Sequence, residues 1–312
     1  KVTPTGNLVF QTLITSDAGN VTPIFSNFDS QHIAVGDDGS VFISLIGFRD
    51  ASGILTTDGS TPGAGGEFVI ARRYDPNGGL IYSRIFDYND IDYVSGVEVT
   101  GNSMWIGGFT LSSDFMTTDG TTYGGGGDAF LIKLNPDGTT SLSTLIGGSG
   151  RDAIPYLISD GSAVYAVHET NSSDFVTTTG VTYDGSDDSF YAVKYNSDGS
   201  LAYATLINAD QDVSFSETSG LFLRDGALFI SGQVDGDPGA PFPANACTPF
   251  VGSDPTAANT AVIKLDVNGN VAYASLLGGA DAKIFVNAAG EAFVLSETND
   301  ITSNFTTDGS VG

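Results

Sequence analysis

The chain has 312 residues, of which 40% are hydrophobic, so it is long enough to bury a substantial core. With 37 acidic and only 11 basic side chains, its net charge of −26 argues against nucleic acid and anionic membrane surfaces as partners. No segment approaches the roughly 18 apolar residues of a membrane helix, which argues against membrane insertion. The single Cys247 excludes an intramolecular disulfide.

Two kinds of β-hairpin alternate along the chain. One is an inner hairpin, typified by "VSGVEVTGNSMWIGG" (94–108), in which alternating β-forming residues flank a glycine turn. Its turn glycines are Gly39, Gly101, Gly161, Gly226 and Gly290. An aromatic follows each glycine by three or four residues; these are Phe42, Trp105, Tyr165, Phe229 and Phe293.

The other kind is an outer hairpin, typified by "IKLNPDGTTSLSTLIGG" (132–148). Its turn glycines are Gly6, Gly78, Gly138, Gly199 and Gly269. Four residues after each stands a large apolar side chain, namely Phe10, Tyr82, Leu142, Tyr203 or Tyr273. One inner and one outer hairpin make four strands, and a series of four-stranded units predicts the blades of a β-propeller.

The predicted fold is therefore all-β: a five-bladed β-propeller of four-stranded antiparallel blades in one domain over residues 1–312. The predicted blades span approximately 29–86, 92–146, 152–207, 217–278, and 281–312 completed by 1–15. Lys1 takes up the repeat at the position of Lys133, so strands from both termini are expected to close the ring. About nine residues of the repeat are missing at this join. The alternatives are that flanking residues or a neighbouring molecule supply the missing strand.

The repeats resemble the bacterial SBBP (beta-propeller repeat) family, whose units combine a "DG.VY..G.T.S.DF.TT" stretch with "GG..DAF..KLN..G...YST.LGG". Residues 110–148, "TLSSDFMTTDGTTYGGGGDAFLIKLNPDGTTSLSTLIGG", match over a whole unit. The fourth unit departs most, with "DGDPGAPFPANACTPFVGSDPTAANTA" in place of the DF-TT-GG run. The resemblance implies a secreted or cell-surface bacterial protein, without an established chemistry.

The long connections within and between blades are expected to share one face, where loops usually carry binding residues. Five carboxylates stand nine or ten residues before the inner-hairpin glycines: Asp29, Asp92, Asp152, Glu217 and Asp281. Each is expected to lie where the innermost strand of its blade begins, so the five would converge. Their oxygen atoms are ligands suited to Ca²⁺, and they form a candidate cation ring. The alternative is that each carboxylate caps its own turn. No other cofactor is predicted.

Catalytic motifs are not evident. The two histidines lack metal-type spacing, and no Asp or Glu stands out as apolar-flanked with a raised pKa. The sequence therefore favours a non-catalytic extracellular module with a structural, adhesive or assembly role, not an enzyme. The expected partners are other protein subunits or cell-surface components, or further copies of the chain in an oligomer or filament.

Two alternatives of other classes remain. One is a lectin-like propeller that binds glycans on its long loops through Tyr123 and Tyr183. The other is a glycan-active hydrolase, which a pair of carboxylates about 5 to 10 Å apart beneath the long loops would favour.

The run "DFMTTDGTTYGGGGDAF" (114–130) contains four consecutive glycines. A phosphate-binding loop would have these glycines open a helix, whereas here they lead into the predicted strand "DAFLIKL". The run is therefore predicted to be a flexible crossing from the second to the third strand of one blade.

Overall fold

The computed structural model describes residues 5, 8, 21–22, 32–48, 54–62, 66–182, 188–207, 213–214, 220–234, 259–278 and 280–297. Every regular element within these ranges is a β-strand, and no helix there could cross a membrane. Within these ranges the strands form five antiparallel sheets in series, of five, four, four, five and two strands, and the recurring order of four successive strands is that of a β-propeller blade. The structure confirms the all-β class and the four-stranded repeat.

The first sheet has β1 (Val21–Thr22), β2 (Ile33–Val35), β3 (Val41–Phe48), β4 (Glu67–Tyr74) and β5 (Leu80–Phe86). The second has β6 (Asp92–Thr100), β7 (Ser103–Thr110), β8 (Asp128–Leu134) and β9 (Thr140–Leu145). The third has β10 (Tyr156–Ser159), β11 (Ala163–Thr170), β12 (Ser189–Asn196) and β13 (Leu201–Ile207). In the first sheet, β1 and β2 pair with successive parts of β3.

The fourth sheet has β14 (Val213–Ser214), β15 (Gly220–Arg224), β16 (Ala227–Val234), β17 (Asn259–Leu265) and β18 (Val271–Gly278). Its first two strands both pair with β16. The fifth sheet has only β19 (Ala280–Val286) and β20 (Ala292–Glu297). The chain divides into two compact units, the first of residues 1–186 and 190–206 and the second of residues 187–189 and 207–312.

The glycine turns form as the repeat predicts. At the β8–β9 turn, Gly138 has φ +89, a conformation that residues with a Cβ rarely adopt. The carboxylate of Asp137 accepts hydrogen bonds from the backbone N–H of Thr139 (2.9 Å) and from its hydroxyl (2.6 Å). A local side-chain bond and a permissive glycine thus specify the reversal of the chain.

Within the first unit, successive sheets pack face to face. Phe130 and Ile132 of β8 join a core cluster with residues of the first sheet, whereas Ala129 and Leu131 on the other face join a cluster with the third. Because alternate strand residues point to opposite faces, β8 is buried throughout its length. The recurrent inner-hairpin aromatic Trp105 is fully buried, as the repeat predicts for a core position.

A repeated Thr-Thr segment lies along the outer edge strand of the sheet. In the second sheet, the Thr118 N–H donates to the Ser143 carbonyl (2.8 Å), and the Ser143 N–H donates to Thr118 Oγ1 (2.9 Å). Thr57 and Thr178 make the same pair of bonds in the first and third sheets. The segment therefore pairs with backbone N–H and C=O groups of an edge strand that would otherwise be available to another chain.

We expect Thr118→Val to lower the free energy of unfolding by about 1–2 kcal/mol, because the partly buried N–H of Ser143 loses its acceptor. Chemical denaturation measures the change. Thr122→Val is the control, since Thr122 is an exposed threonine four residues further along. Equal losses in the two variants would contradict a role for the Thr118 hydroxyl at this edge.

Candidate functional site

Two glycine-rich segments meet where the second sheet leads into the third. One is residues 124–127, which precede β8, and the other is residues 147–151, which follow β9. The Asp152 N–H donates to the Gly127 carbonyl (2.9 Å), joining the two segments. The loop after β11 clamps the second segment from the other side, because Asp174 accepts from the Ser149 N–H (2.8 Å) and Ser172 from the Gly150 N–H (2.7 Å).

Two of the four glycines, Gly124 and Gly126, are required by close backbone packing. A Cβ on Gly124 would overlap the carbonyl oxygen of Gly148, and a Cβ on Gly126 would stand 2.5 Å from that of Gly150. Gly126 and Gly127 also have φ of +68 and +100. The run does cross from β7 to β8, as predicted, but at Gly124 and Gly126 two backbones touch, and only glycine permits that distance.

Beneath these segments, a carboxyl at the start of each first strand binds its own sheet. The Asp152 carboxylate accepts hydrogen bonds from the hydroxyls of Thr170 (2.6 Å) and Ser172 (3.2 Å) and from the Gly148 N–H (2.8 Å). In the second sheet, Asp92 likewise accepts from the hydroxyls of Thr110 (2.6 Å) and Ser112 (3.3 Å). Both carboxyls are buried and tie the first strand to the end of the second.

A second carboxyl lies next to Asp152. Asp128, the first residue of β8, is 1% exposed, and Asp152 is fully buried. Asp128 Cγ and Asp152 Oδ2 lie 2.9 and 2.8 Å from the point where a Cβ on Gly147 would stand. Asp128 Cγ and Asp152 Oδ2 are therefore no more than about 6 Å apart, a range that includes the carboxyl separation of about 5 to 5.5 Å in retaining glycosidases.

The two oxygens of Asp128 have different surroundings. Oδ2 accepts a hydrogen bond from the Gly124 N–H (2.8 Å), whereas buried Oδ1 finds no partner among the described residues. Burial, and to a smaller extent the negative charges of Asp152 and Asp174, raise the pKa of Asp128 to about 7, although the hydrogen bond from the Gly124 N–H opposes the rise. Asp128 is therefore substantially protonated near neutral pH.

Asp152 is held differently. Burial raises its pKa, while the hydrogen bonds from Thr170, Gly148 and Ser172 oppose the rise. Hydrogen bonds to both carboxylate oxygens favour the ionised form. Within the described residues, the pair thus contains one carboxyl with an unpaired oxygen and one with hydrogen-bond donors on both oxygens, and such a difference in environment favours different protonation behaviour.

His168 is buried beside this pair. Its Nδ1 lies 2.9 Å from the Glu169 carbonyl, and its ring contacts those of Tyr191 and Phe175 at centroid distances of 5.4 and 6.0 Å. Burial lowers the pKa of His168, so the imidazole is neutral near pH 7. It stands where the preceding repeat has Gly108, which makes the junction between the second and third sheets chemically distinct.

The predicted site residues fall as follows. Asp92 and Asp152 bind Thr and Ser of their own sheets, Asp29 and Glu217 lie outside the described residues, and only the backbone of Asp281 is described. No group of three or more His, Cys, Asp or Glu within the described ranges is arranged to hold a metal ion. The five-carboxylate Ca²⁺ ring stays a prediction.

Of the two tyrosines predicted to bind glycans, Tyr123 is partly buried against the core, and Tyr183 is not among the described residues.

No known protein family matches the chain at the level of a sequence profile. Among solved structures, it resembles an α-L-arabinanase of Penicillium chrysogenum, with TM-score 0.45 and 10% identity over 90% of this chain and 80% of that one. It also resembles the apocarotenoid oxygenase of Synechocystis, with TM-score 0.39 and 10% identity over 85% of this chain and 54% of that one. A third similar structure is the hydrazine synthase of Kuenenia stuttgartiensis, with TM-score 0.38 and 13% identity over 86% of this chain and 74% of that one. The chain spans about half the length of the oxygenase. These likenesses concern the fold alone.

The expectation of a non-catalytic structural, adhesive or assembly module, with its lectin-like alternative, is contradicted. The solved structures that resemble the chain include enzymes. The supporting argument, that no carboxyl has a raised pKa, is also wrong. Burial raises the pKa of Asp92, Glu98 and Asp128 to about 7 each. Their burial depends on contacts between distant segments, which flanking residues do not show.

Sequence reasoning missed Asp128, Thr170 and Ser172. A signal for the last two was present: Thr stands 18 and Ser 20 residues after the first-strand aspartate in both the second and third repeats. The signal for Asp128 was weaker, because the equivalent positions hold Glu67 and Ser189. Glu67 Oε2 is likewise buried without a partner among the described residues, so a carboxyl also occupies this place in the preceding sheet.

We expect Gly124→Ala to destabilise the chain by about 2–3 kcal/mol, because the new Cβ overlaps a backbone carbonyl that no rotamer change can move. Gly120→Ala is the control for conformational cost alone: Gly120 has φ +84 and open space around its Cβ position, so about 1 kcal/mol is expected. Thermal or chemical unfolding measures both. A smaller loss for Gly124→Ala than for Gly120→Ala would contradict the close packing.

Stability should fall as pH rises from about 4 to about 7. The folded-state pKa of Asp92 and of Asp128, each about 7, exceeds the ordinary value of 3.8. The folded chain therefore binds more protons than the unfolded chain in this range, and the stabilisation is lost as pH rises through the folded pKa. Asp128→Asn should reduce the loss between pH 5 and 8 by about 1–3 kcal/mol.

The matched control for this pH dependence is Asp225→Asn, which removes one negative charge at an exposed turn position. It should leave the slope of unfolding free energy against pH nearly unchanged. If Asp128→Asn and Asp225→Asn have the same slope, general charge repulsion and not the buried carboxyl produces the effect.

Proposed function

We propose that the chain is a hydrolase that cleaves glycosidic bonds, with Asp128 and Asp152 as its two carboxyl groups. The observation that carries the proposal is the partnerless Oδ1 of Asp128, buried within about 6 Å of a second carboxyl. A carboxyl with a pKa of about 7 can donate a proton at neutral pH, whereas an ordinary aspartate is already ionised.

In this mechanism, Asp128 protonates the departing glycosidic oxygen through Oδ1, and its Oδ2 is held by the Gly124 N–H. Asp152 attacks the sugar at its anomeric carbon and forms a covalent intermediate with the substrate. Asp128, now ionised, then takes a proton from water, whose oxygen displaces Asp152 and restores both groups. Thr170 and Ser172 orient Asp152 and stabilise its negative charge before it attacks and after water displaces it.

Substrate access requires a change at the glycine-rich segments, because both carboxyls are covered in this structure. Segments 124–127 and 147–151 are the cover, and they meet through backbone contacts without large interlocking side chains. Their separation would expose the carboxyl pair to the loop face. The buried state excludes water and accounts for the raised pKa of Asp128.

Further proposals complete this assignment. We propose that the sheets belong to a five-bladed ring closed by strands from both ends of the repeat array. The chain's repeats support membership in the SBBP-type group, and with it a secreted or cell-surface location. The acidic composition, with a net charge of −26, suits a soluble enzyme acting on uncharged or cationic glycans.

The test is hydrolysis of a panel of 4-nitrophenyl glycosides and unbranched polysaccharides by the purified chain, followed by Asp128→Asn and Asp152→Asn on whichever probe reacts. Each variant should lower kcat by about 10²- to 10⁴-fold. Asp225→Asn is the control and should retain full activity. The acid limb of the pH profile should disappear in Asp152→Asn and the alkaline limb in Asp128→Asn.

Activity that survives both substitutions would overturn the assignment of these two residues. A complete lack of hydrolysis across the panel by a folded chain would overturn the proposed activity. Folding of each variant is checked independently by its unfolding transition, so a lost rate is not confused with a lost structure.

A further inference from the structure

The two segments that cover the carboxyl pair are held to the rest of the molecule very differently. Segment 147–151 is tied to the loop after β11 by hydrogen bonds along most of its length. The donors and acceptors are the Ser149 N–H and hydroxyl to Asp174 (2.8 and 3.1 Å), the Gly150 N–H to Ser172 Oγ (2.7 Å), the Arg151 N–H to Asn171 Oδ1 (2.7 Å) and the Asn171 N–H to the Arg151 carbonyl (3.2 Å). Movement of this segment would break all of these bonds together.

The same attachment occurs one repeat earlier, where the second sheet follows the first. The N–H groups of Asn89 and Asp90, which follow β5, donate to Asp114 Oδ1 (2.9 Å) and to Ser112 Oγ (3.0 Å). Each of these four residues stands 60 positions before its counterpart at the next junction. Attachment of the segment after the fourth strand is therefore a structural feature of the repeat, which favours a fixed position for segment 147–151.

The other part of the cover, residues 122–127, forms a flap between two fixed points. Before the flap, the Leu145 N–H donates to Thr121 Oγ1 (3.0 Å), which fixes the chain to β9. After the flap, Asp128 begins β8, a strand that is buried along its length. Four of the six residues between these points are glycines, which change φ and ψ at little cost.

Few interactions hold the flap in place. Within the described residues, one hydrogen bond joins it to segment 147–151, from the Asp152 N–H to the Gly127 carbonyl (2.9 Å). The Gly124 N–H bonds only to the carboxyl of Asp128, where the flap ends. Tyr123 is the one large side chain of the flap, and it is partly buried against the core of the first and second sheets. Opening of the flap thus costs far fewer bonds than movement of segment 147–151.

We propose that the flap opens while segment 147–151 stays fixed, and that packing of Tyr123 against the core keeps the flap closed. Opening uncovers Asp128 and Asp152 from the side of the second sheet. The inference rests on the proposed function for its purpose, which is to admit substrate to these two carboxyls. The motion itself takes place in the free protein, as in enzymes whose loops close over their sites.

Residue-resolved amide hydrogen exchange, followed by NMR on the purified chain, shows which segment moves. The flap protects the Asp152 N–H through the Gly127 carbonyl, whereas the loop after β11 protects the N–H groups of Ser149, Gly150 and Arg151. After correction for intrinsic rates, the Asp152 N–H should exchange at least about tenfold faster than the other three. Equal rates at all four positions would overturn the proposal, because segment 147–151 would then move with the flap or neither would move. Slower exchange at Asp152 would also overturn it.

Tyr123→Ala tests what keeps the flap closed. The variant should increase the exchange rate of the Asp152 N–H at least about tenfold, because alanine lacks the ring that packs against the core. The rates at Ser149, Gly150 and Arg151 should stay the same, which also shows that the chain has not unfolded globally. Thr122→Ala is the matched control, since Thr122 is an exposed neighbour in the same flap. Equal rates at Asp152 in the two variants would overturn the role of Tyr123.

The exchange measurement needs no substrate, so this inference and the proposed function fail separately. Glycoside hydrolysis together with equal exchange at the four amides would overturn the moving flap and leave the hydrolase assignment in place. Faster exchange at Asp152 together with no hydrolysis across the panel would overturn the assignment and leave the flap in place.

Discussion

Each four-stranded sheet of this chain carries apolar side chains on both faces, and burying both faces against neighbouring sheets is the constraint on which the rest depends. The second sheet satisfies it, since β8 is buried along its whole length between two separate core clusters. Burial of apolar area is the dominant stabilising contribution in such packing. Sheets that pack this tightly also bring their connecting segments into contact, and this contact limits which residues those segments can contain.

The glycine-rich segments follow from that limitation. Residues 124–127 and 147–151 approach each other so closely that a Cβ would overlap a backbone oxygen. Glycine here permits the close approach of two backbones as well as a positive φ, so the segments are closely packed. The phosphate-binding interpretation fails because these residues lead into β8, a strand.

The same packing places carboxyl groups away from water. Asp152 accepts hydrogen bonds from hydroxyl and backbone donors on both oxygens, whereas Asp128 accepts one and has a buried oxygen with no partner among the described residues. Unequal solvation of two neighbouring carboxyls separates their protonation behaviour.

Sequence alone determined the all-β class, the hairpins and the four-stranded repeat, because Gly turns and alternating apolar residues are local signals that recur at fixed spacing. It also marked Asp92 and Asp152, although it could not show that Thr110 and Thr170 bind them. Only the tertiary structure decided that Asp128 lies beside Asp152 and that the glycines are close-packed. These depend on contacts between segments 20 or more residues apart, and solvation depends on everything that surrounds a group. The local sequence pattern contains neither these contacts nor the solvation of a buried group.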